Sequence, residues 1–133
     1  MSIKKFPVEL ESSGLYSRWD AKSKDLPKFE RATSTVPAKV GVEFGYIVTI
    51  SKAKGELLEY EIDHPPFKEN GRQTPKFVGS VRIHSNQYTF FLGDTIWEPI
   101  VDKIGKWRLV LRIRGQILAD RTFDVVAEHA ATT

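Results

Sequence analysis

Hydrophobic and polar residues alternate most regularly between Gly105 and Arg114. The apolar positions are Trp107, Leu109, Leu111 and Ile113, and the positions between them include Lys106, Arg108 and Arg112. A period of two residues is typical of a β-strand that buries one face and exposes the other. Gly115-Gln116 then permits a type II′ turn, because glycine adopts positive φ without strain. The pattern predicts a hairpin between this strand and the segment Ile117 to Val126.

The second strand of this hairpin matches the first only if its register shifts. Uninterrupted pairing from the predicted turn would leave Phe123 and Val125 facing water. One extra residue near Ala119-Asp120, a β-bulge, returns both side chains to the apolar face. We therefore expect the bulge, with Phe123 beside Leu109 and Val125 beside Trp107.

Further strands are predicted along most of the chain. They are Phe6 to Leu10 continuing to Leu15-Tyr16, a short edge strand near Ala32 to Val36, Tyr46 to Ile50, Leu58 to Ile62, Phe77 to Ile83 and Tyr88 to Leu92. Turn residues separate these segments, and no segment sustains the apolar period of a long helix. Seven or eight short strands predict an all-β fold, an immunoglobulin-like antiparallel β-sandwich, with a small barrel as the alternative.

Composition agrees with one folded domain. The chain has 133 residues, of which 41% are hydrophobic and 28% are charged. We expect a single domain over residues 1–133, with a core from about residue 6 to residue 126 and a flexible tail at 127–133. The absence of cysteine removes disulfides, thiol nucleophiles and cysteine-ligated metals.

Charge and hydropathy also limit the partners that we expect. The net charge is only +3, and positive and negative residues are interspersed, so no nucleic-acid interface is predicted. No apolar run has the length of a signal peptide or a membrane span. The sequence therefore predicts a cytoplasmic protein without membrane contact.

Four motifs in order resemble a known family. They are Gly14-Leu15-Tyr16, Val36-Pro37-Ala38 followed by Gly41 and Phe44-Gly45, His64-Pro65-Pro66, and Gly105-Lys106-Trp107. At these separations the chain resembles an uncharacterised bacterial domain-of-unknown-function family of immunoglobulin-like β-sandwich proteins, from about Glu11 to Val126. The resemblance implies a sandwich and no assigned activity, catalytic residue or cofactor. Some members look exported, and this chain departs from them in showing no signal sequence.

The histidines are weak candidates for catalysis. His64, His84 and His129 show no metal-ligand spacing. His64 lies at a strand end beside two prolines, which is typical of an imidazole that caps a turn. We predict no catalytic residue, no metal site and no cofactor.

Two rows of charge run along neighbouring predicted strands. Glu59, Glu61 and Asp63 share one strand face, whereas acid–base catalysis needs two carboxylates in different environments. Arg108, Arg112 and Arg114 form a row that could bind an acidic partner. The simpler interpretation pairs the two rows with each other or leaves them solvated.

Aromatic residues in connections are the better candidates for binding. Tyr16, Trp19 and Trp97 lie in or next to loops, where they either contact a ligand or close the ends of the sandwich as plugs. Together with His64 they form the predicted binding set. The predicted function is a non-enzymatic binding or protein-interaction module that contacts a protein partner through loops 17–35 and 68–75. A carbohydrate or small-ligand domain using Trp19 and Trp97 is the alternative, and a hydrolase with His64 is a third.

Overall fold

The computed structural model describes residues 4–17, 25–69 and 71–128. Its strands are β1 (Val8–Tyr16), β2 (Phe29–Ala32), β3 (Thr35–Pro37), β4 (Glu43–Ser51), β5 (Leu57–Asp63), β6 (Lys68–Glu69), β7 (Arg72–Gln73), β8 (Phe77–Arg82), β9 (Gln87–Thr95), β10 (Gly105–Ile113) and β11 (Gln116–Val126). A short 3₁₀ helix, Val101–Lys103, precedes β10. Within the described ranges, no helix is long or apolar enough to cross a membrane.

Two sheets form the predicted sandwich. One has four strands in the order β2-β1-β4-β9, and the other has five in the order β3-β11-β10-β5-β8. Strands β6 and β7 form a separate small hairpin inside the predicted loop 68–75. The all-β sandwich is confirmed, with more strands than the seven or eight expected from the sequence.

The core lies between the inward faces of β4 and β10. The side chains of Trp107, Leu109, Leu111 and Ile113 are fully buried, as the alternating pattern predicted. The Phe44 ring meets the Trp107 ring edge-on, with the centroids 5.5 Å apart. The Tyr46 hydroxyl donates a 2.9 Å hydrogen bond across the sandwich to the carbonyl oxygen of Leu109. Burial of this hydroxyl raises the pKa of Tyr46.

The hairpin of β10 and β11 turns one residue earlier than predicted. Arg114 and Gly115 have φ angles of 52° and 77°, so both central residues are left-handed, as in a type I′ turn. Ile113 therefore pairs with Gln116. The prediction of a type II′ turn at Gly115-Gln116 was wrong because arginine takes the positive φ that the sequence analysis assigned to glycine alone.

The predicted bulge is present close to its expected position. Ala119 pairs with Leu111 and Ile117 with Arg112, which leaves Leu118 as the extra residue. Trp107 pairs with Phe123, not with Val125 as predicted. The difference amounts to two residues along the strand, so the same side chains still face the core.

Ion pairs cover the outer face of the five-stranded sheet. Arg108 binds Asp120 with two hydrogen bonds of 2.9 and 2.6 Å, which lower the pKa of the Asp120 carboxyl. Glu61 accepts ion pairs from Lys76 at 3.1 Å and from Arg112 at 3.7 Å. Among the described residues, Arg112 and Glu61 form the one ion pair that joins the two predicted rows. Arg108 and Arg114 pair instead with Asp120 and Glu56, which lie outside the acidic row.

The segment 17–35 contains more structure than a loop. Strand β2 pairs with β1, and β3 runs parallel to the end of β11 from Asp124 to Val126. The edge strand expected near Ala32 to Val36 is thus split between two sheets, and one strand pair is parallel where the prediction had only antiparallel ones. Residues 18–24, which include Trp19, and the end of the predicted tail, 129–133, lie outside the described residues.

Candidate functional site

Among the described residues, the two sheets have four edge strands, and three of them are short or carry features that discourage pairing. Strand β2 has four residues and includes Glu30 and Arg31, and β3 has three residues and ends at Pro37. Strand β8 has six residues and ends at Arg82. Short length, charge and proline all discourage pairing with another strand. The fourth edge, β9, has nine residues and neither charge nor proline from Gln87 to Gly93.

The outer edge of β9 presents unpaired backbone groups. Its inner edge pairs with β4 without a register shift, and no described strand pairs with the other edge. In an antiparallel pair, every second residue directs its N–H and C=O groups toward the partner strand. The N–H of Ile96 donates to the carbonyl of Val42 at 2.9 Å, and this bond shows which residues of β9 face β4. Along β9 this alternation directs the N–H and C=O groups of Thr89, Phe91 and Gly93 away from β4. They form an open row of donors and acceptors.

Half-buried aromatic rings line the side of the sandwich between β8 and β9. We call this group, Tyr60, Phe77, Tyr88 and Phe90, the aromatic seam. The rings of Tyr88 and Phe90 are nearly parallel, 6.2 Å apart, and Tyr60 lies 6.3 Å from Phe90. The exposed His84 ring meets Tyr88 edge-on at 5.1 Å. The rings pack on the core but remain partly accessible, because no described strand closes this side.

Asp94 lies on the inward face of β9, where it pairs with Phe44 of β4. Burial raises the pKa of Asp94 to about 6; the nearby charge of Glu43 also raises this pKa, whereas the Thr95 N–H and His64 lower it. Glu43 is 3% exposed and accepts a 2.7 Å hydrogen bond from the Thr95 hydroxyl. A shielded carboxylate with a raised pKa is a candidate functional group.

His64 and Trp97, two of the predicted binding residues, come together at one end of the sandwich. Their rings lie 4.3 and 5.6 Å from the Phe67 ring, and both also contact Phe77 and Trp107. This cluster is continuous with the aromatic seam, because Phe77 belongs to both.

The ring nitrogens of His64 bind two turns. Nδ1 lies 2.8 Å from the carbonyl oxygen of Pro65, and Nε2 lies 2.9 Å from that of Pro75. Both partners are hydrogen-bond acceptors, so each ring nitrogen that carries a proton can donate it to one of these turns. This geometry matches the turn-capping interpretation of His64.

The ammonium group of Lys103 packs against the ring of Trp97. Lys103 is 1% exposed, and its Nζ lies 4.6 Å from the Trp97 ring centroid and 4.4 Å from that of Phe67. The same nitrogen donates to the carbonyl of Pro99 at 3.1 Å and to Asp102 at 2.6 Å. Trp97 is therefore occupied by contacts within the fold, in the manner of a plug.

Tyr16 lies in a different cluster. It is 3% exposed, packs with Ile47 and Phe91, and shares a 2.8 Å hydrogen bond with the Ser12 hydroxyl. Burial raises the pKa of Tyr16. Of the four predicted binding residues, the structure thus groups His64 with Trp97, buries Tyr16, and leaves Trp19 outside the described residues. Among the residues that the structure describes, no three His, Asp or Glu side chains form a group that could hold a metal ion.

Comparisons with known proteins agree with this architecture. A family model described as Domain of unknown function (DUF3859) matches residues 4–125. The fold is similar to the crystal structure of an immunoglobulin-like protein from Pseudomonas aeruginosa, with a TM-score of 0.70 and 22% identity, covering 92% of this chain and 98% of that chain. No curated protein matches the sequence. The immunoglobulin-like sandwich and the resemblance to a domain-of-unknown-function family are both confirmed.

Proposed function

Because the chain belongs to the DUF3859 family of domains of unknown function and leaves the uncharged edge of β9 without a described partner strand, we propose that it is a non-enzymatic protein-interaction module. Its partner supplies an extended polypeptide segment that pairs with the outer edge of β9. The observation that carries this proposal is the edge strand β9, in which the stretch from Gln87 to Gly93 contains neither charge nor proline.

Such an edge is unusual in a stable protein. Exposed edge strands with β-forming, uncharged sequences pair with other chains and aggregate, so natural proteins shorten them, charge them or cover them. The other three described edge strands follow that rule, and the unpaired parts of β1 and β11 carry charge at residues such as Glu11 and Asp120. A partner strand on β9 would cover the uncharged edge.

The aromatic seam supports an extended partner with alternating side chains. A strand added to β9 would direct every second side chain between the two sheets, toward Tyr60, Tyr88 and Phe90. Burial of the partner's apolar side chains against these rings would supply affinity beyond that of the backbone hydrogen bonds. We therefore propose a partner with apolar residues at alternate positions.

The predicted loop surfaces are secondary in this proposal. Within loop 17–35, Leu26 and Phe29 are 44% and 42% exposed and would add apolar area to an interface. A sugar-binding function has less support, because the Trp97 ring is already packed against Phe67 and Lys103. A hydrolase has less support as well, because each nitrogen of His64 faces a backbone carbonyl oxygen at hydrogen-bond distance.

A substitution at Thr89 tests the proposal. Thr89 is exposed and its N–H points to the open edge, so Thr89→Pro removes a donor that the fold does not use. The matched control, Thr89→Val, keeps the N–H and suits a strand. Binders would be selected from a display library of peptides about ten residues long with apolar residues at alternate positions.

We expect selected peptides to bind Thr89→Pro about tenfold more weakly than the parent, since one backbone bond is lost and the proline ring obstructs the edge. The Thr89→Val variant should bind within about twofold of the parent. Full affinity in Thr89→Pro, with an unchanged melting temperature, would contradict binding at β9. A library without any binder for the parent would contradict the proposal as well.

A further inference from the structure

A second groove lies on the opposite side of the sandwich, where β3 and β11 face β1 and β2. It consists of two adjoining clefts of about 390 and 370 Å³, and Thr33 lines both. Arg121 and the hydroxyls of Ser13 and Thr122 line the first cleft. Arg31 and Lys39 line the second. The first cleft is thus mostly polar, and the second also includes the apolar side chains of Leu15, Pro37 and Val42. Together the clefts carry three cationic side chains.

The arginines of this groove differ from those on the outer face of the five-stranded sheet. There, Arg108, Arg112 and Arg114 each form an ion pair with a carboxylate. Neither Arg31 nor Arg121 forms an ion pair with any residue that the structure describes. As far as the structure describes the chain, both charges therefore remain available to a ligand.

The two carboxylates of the groove do little to neutralise these arginines. Asp120 is held by Arg108 through two hydrogen bonds. Glu128 lies 4.0 Å from Lys39, and both side chains are more than half exposed, so this pair is weak. The groove therefore retains a positive potential along both clefts.

An open strand edge runs along the same groove. Strand β3 pairs only with the last part of β11, from Asp124 to Val126. The part of β11 before Asp124 has no described strand partner on that side, and its residues 120–123 line the first cleft. Backbone donors and acceptors thus line the same cleft as Arg121.

We propose that this groove binds an extended acidic polypeptide segment, independently of the β9 edge. Its Asp or Glu carboxylates meet Arg31 and Arg121, whose guanidinium groups match a carboxylate with two parallel hydrogen bonds. The hydroxyl of Ser13 donates to a remaining carboxylate oxygen. An acidic sugar is disfavoured because Phe123, the aromatic residue among the described lining residues, is 1% exposed and offers no stacking surface.

Fluorescence anisotropy with two labelled peptides tests this assignment. The first is a glutamate-rich peptide of about ten residues, and the second has glutamine at every glutamate position. The variants are Arg31→Gln and Arg121→Gln. The matched control is Arg114→Gln, which removes the same charge from an exposed pair with Glu56. A heparin oligosaccharide is the comparison ligand.

We expect the acidic peptide to bind the parent, and each groove variant to weaken binding about tenfold, as for loss of a charge-assisted hydrogen bond. Arg114→Gln and Thr89→Pro should stay within about twofold of the parent. Equal weakening by Arg114→Gln would show that only net charge matters and would overturn the proposal. So would loss of binding in Thr89→Pro, equal binding of the glutamine peptide, or binding of heparin without the acidic peptide.

Discussion

The indole Nε1 of Trp107 donates a 2.8 Å hydrogen bond to the carbonyl oxygen of Lys103. Trp107 is fully buried, and its ring meets the rings of Phe44 and Trp97 edge-on at 5.5 and 6.1 Å. One side chain thereby joins β10 to the 3₁₀ helix, the four-stranded sheet and the aromatic end of the sandwich.

Replacement of Trp107 should therefore destabilise the folded protein strongly. We expect Trp107→Ala to lower the free energy of unfolding by roughly 3 to 5 kcal/mol, the range for a large buried aromatic residue. Trp107→Phe should cost less, because it keeps most of the ring contacts and loses mainly the hydrogen bond to Lys103. Urea denaturation of both variants measures the difference. A melting temperature of Trp107→Ala within a few degrees of the parent would refute this role.

Asp94 should make the stability of the domain depend on pH. Burial raises its pKa from 3.8 to about 6, so the folded protein binds this proton more tightly than the unfolded chain does. Stability from this group is present below about pH 4 and is lost as the pH rises through 6. Asp94→Asn cannot ionise, and we expect it to be about 1 to 3 kcal/mol more stable than the parent at pH 7.

Urea denaturation between pH 3 and pH 7 measures this effect as the difference between parent and variant. The difference should vanish at the acidic end, because the parent carboxyl is protonated there. Asp124→Asn is the matched control, since it removes a carboxylate from an exposed ion pair with Lys106. A difference between Asp94→Asn and the parent that does not change with pH would contradict the assignment.

The substitution Gly79→Ala should have opposite effects on stability in the parent protein and in a variant that lacks the Tyr60 ring. A Cβ atom at Gly79 would collide with the Tyr60 ring, which lies over this glycine on the neighbouring strand. We expect Gly79→Ala to destabilise the parent by roughly 1 to 3 kcal/mol, because the ring must leave its place beside Phe90.

The same substitution should be neutral or stabilising by up to about 1 kcal/mol in a Tyr60→Ala background, where alanine suits a strand better than glycine does. Ser80→Ala, on the exposed face of β8, is the control and should change little. Equal costs of Gly79→Ala in the two backgrounds would show that the ring and the glycine are not coupled.

The sequence predicts the local elements better than their arrangement. The alternation around Trp107 identifies β10 and its buried face, because that pattern depends on one strand alone. The turn of the hairpin could not be placed, because Arg114 adopts a positive φ that its residue type disfavours. A register error of two residues does not change which side chains of a strand face the core. The buried residues of β10 and β11 were therefore predicted correctly, although the cross-strand partner of Trp107 was not.

The candidate binding edge could not be predicted for a different reason. The segment Gln87 to Gly93 reads as an ordinary strand, and its significance depends on lying at the end of the sheet order. Asp94 was missed because its inward direction follows from its pairing with Phe44, which is fifty residues earlier in the sequence. Both features are properties of the topology, whereas His64 beside two prolines could be interpreted locally as a turn cap.

The last prediction is that the purified protein has no hydrolase activity of its own. With no cysteine in the chain, a nucleophile must be serine, threonine or a carboxylate, and a hydroxyl nucleophile needs a positioned base. His64 is the best-placed histidine, but its two nitrogens are engaged with the carbonyl groups of Pro65 and Pro75. Assays with general esterase, phosphatase and glycosidase substrates should therefore give background rates. Turnover that disappears in His64→Ala, with the fold intact by circular dichroism, would refute the interaction-module proposal and make His64 the catalytic base.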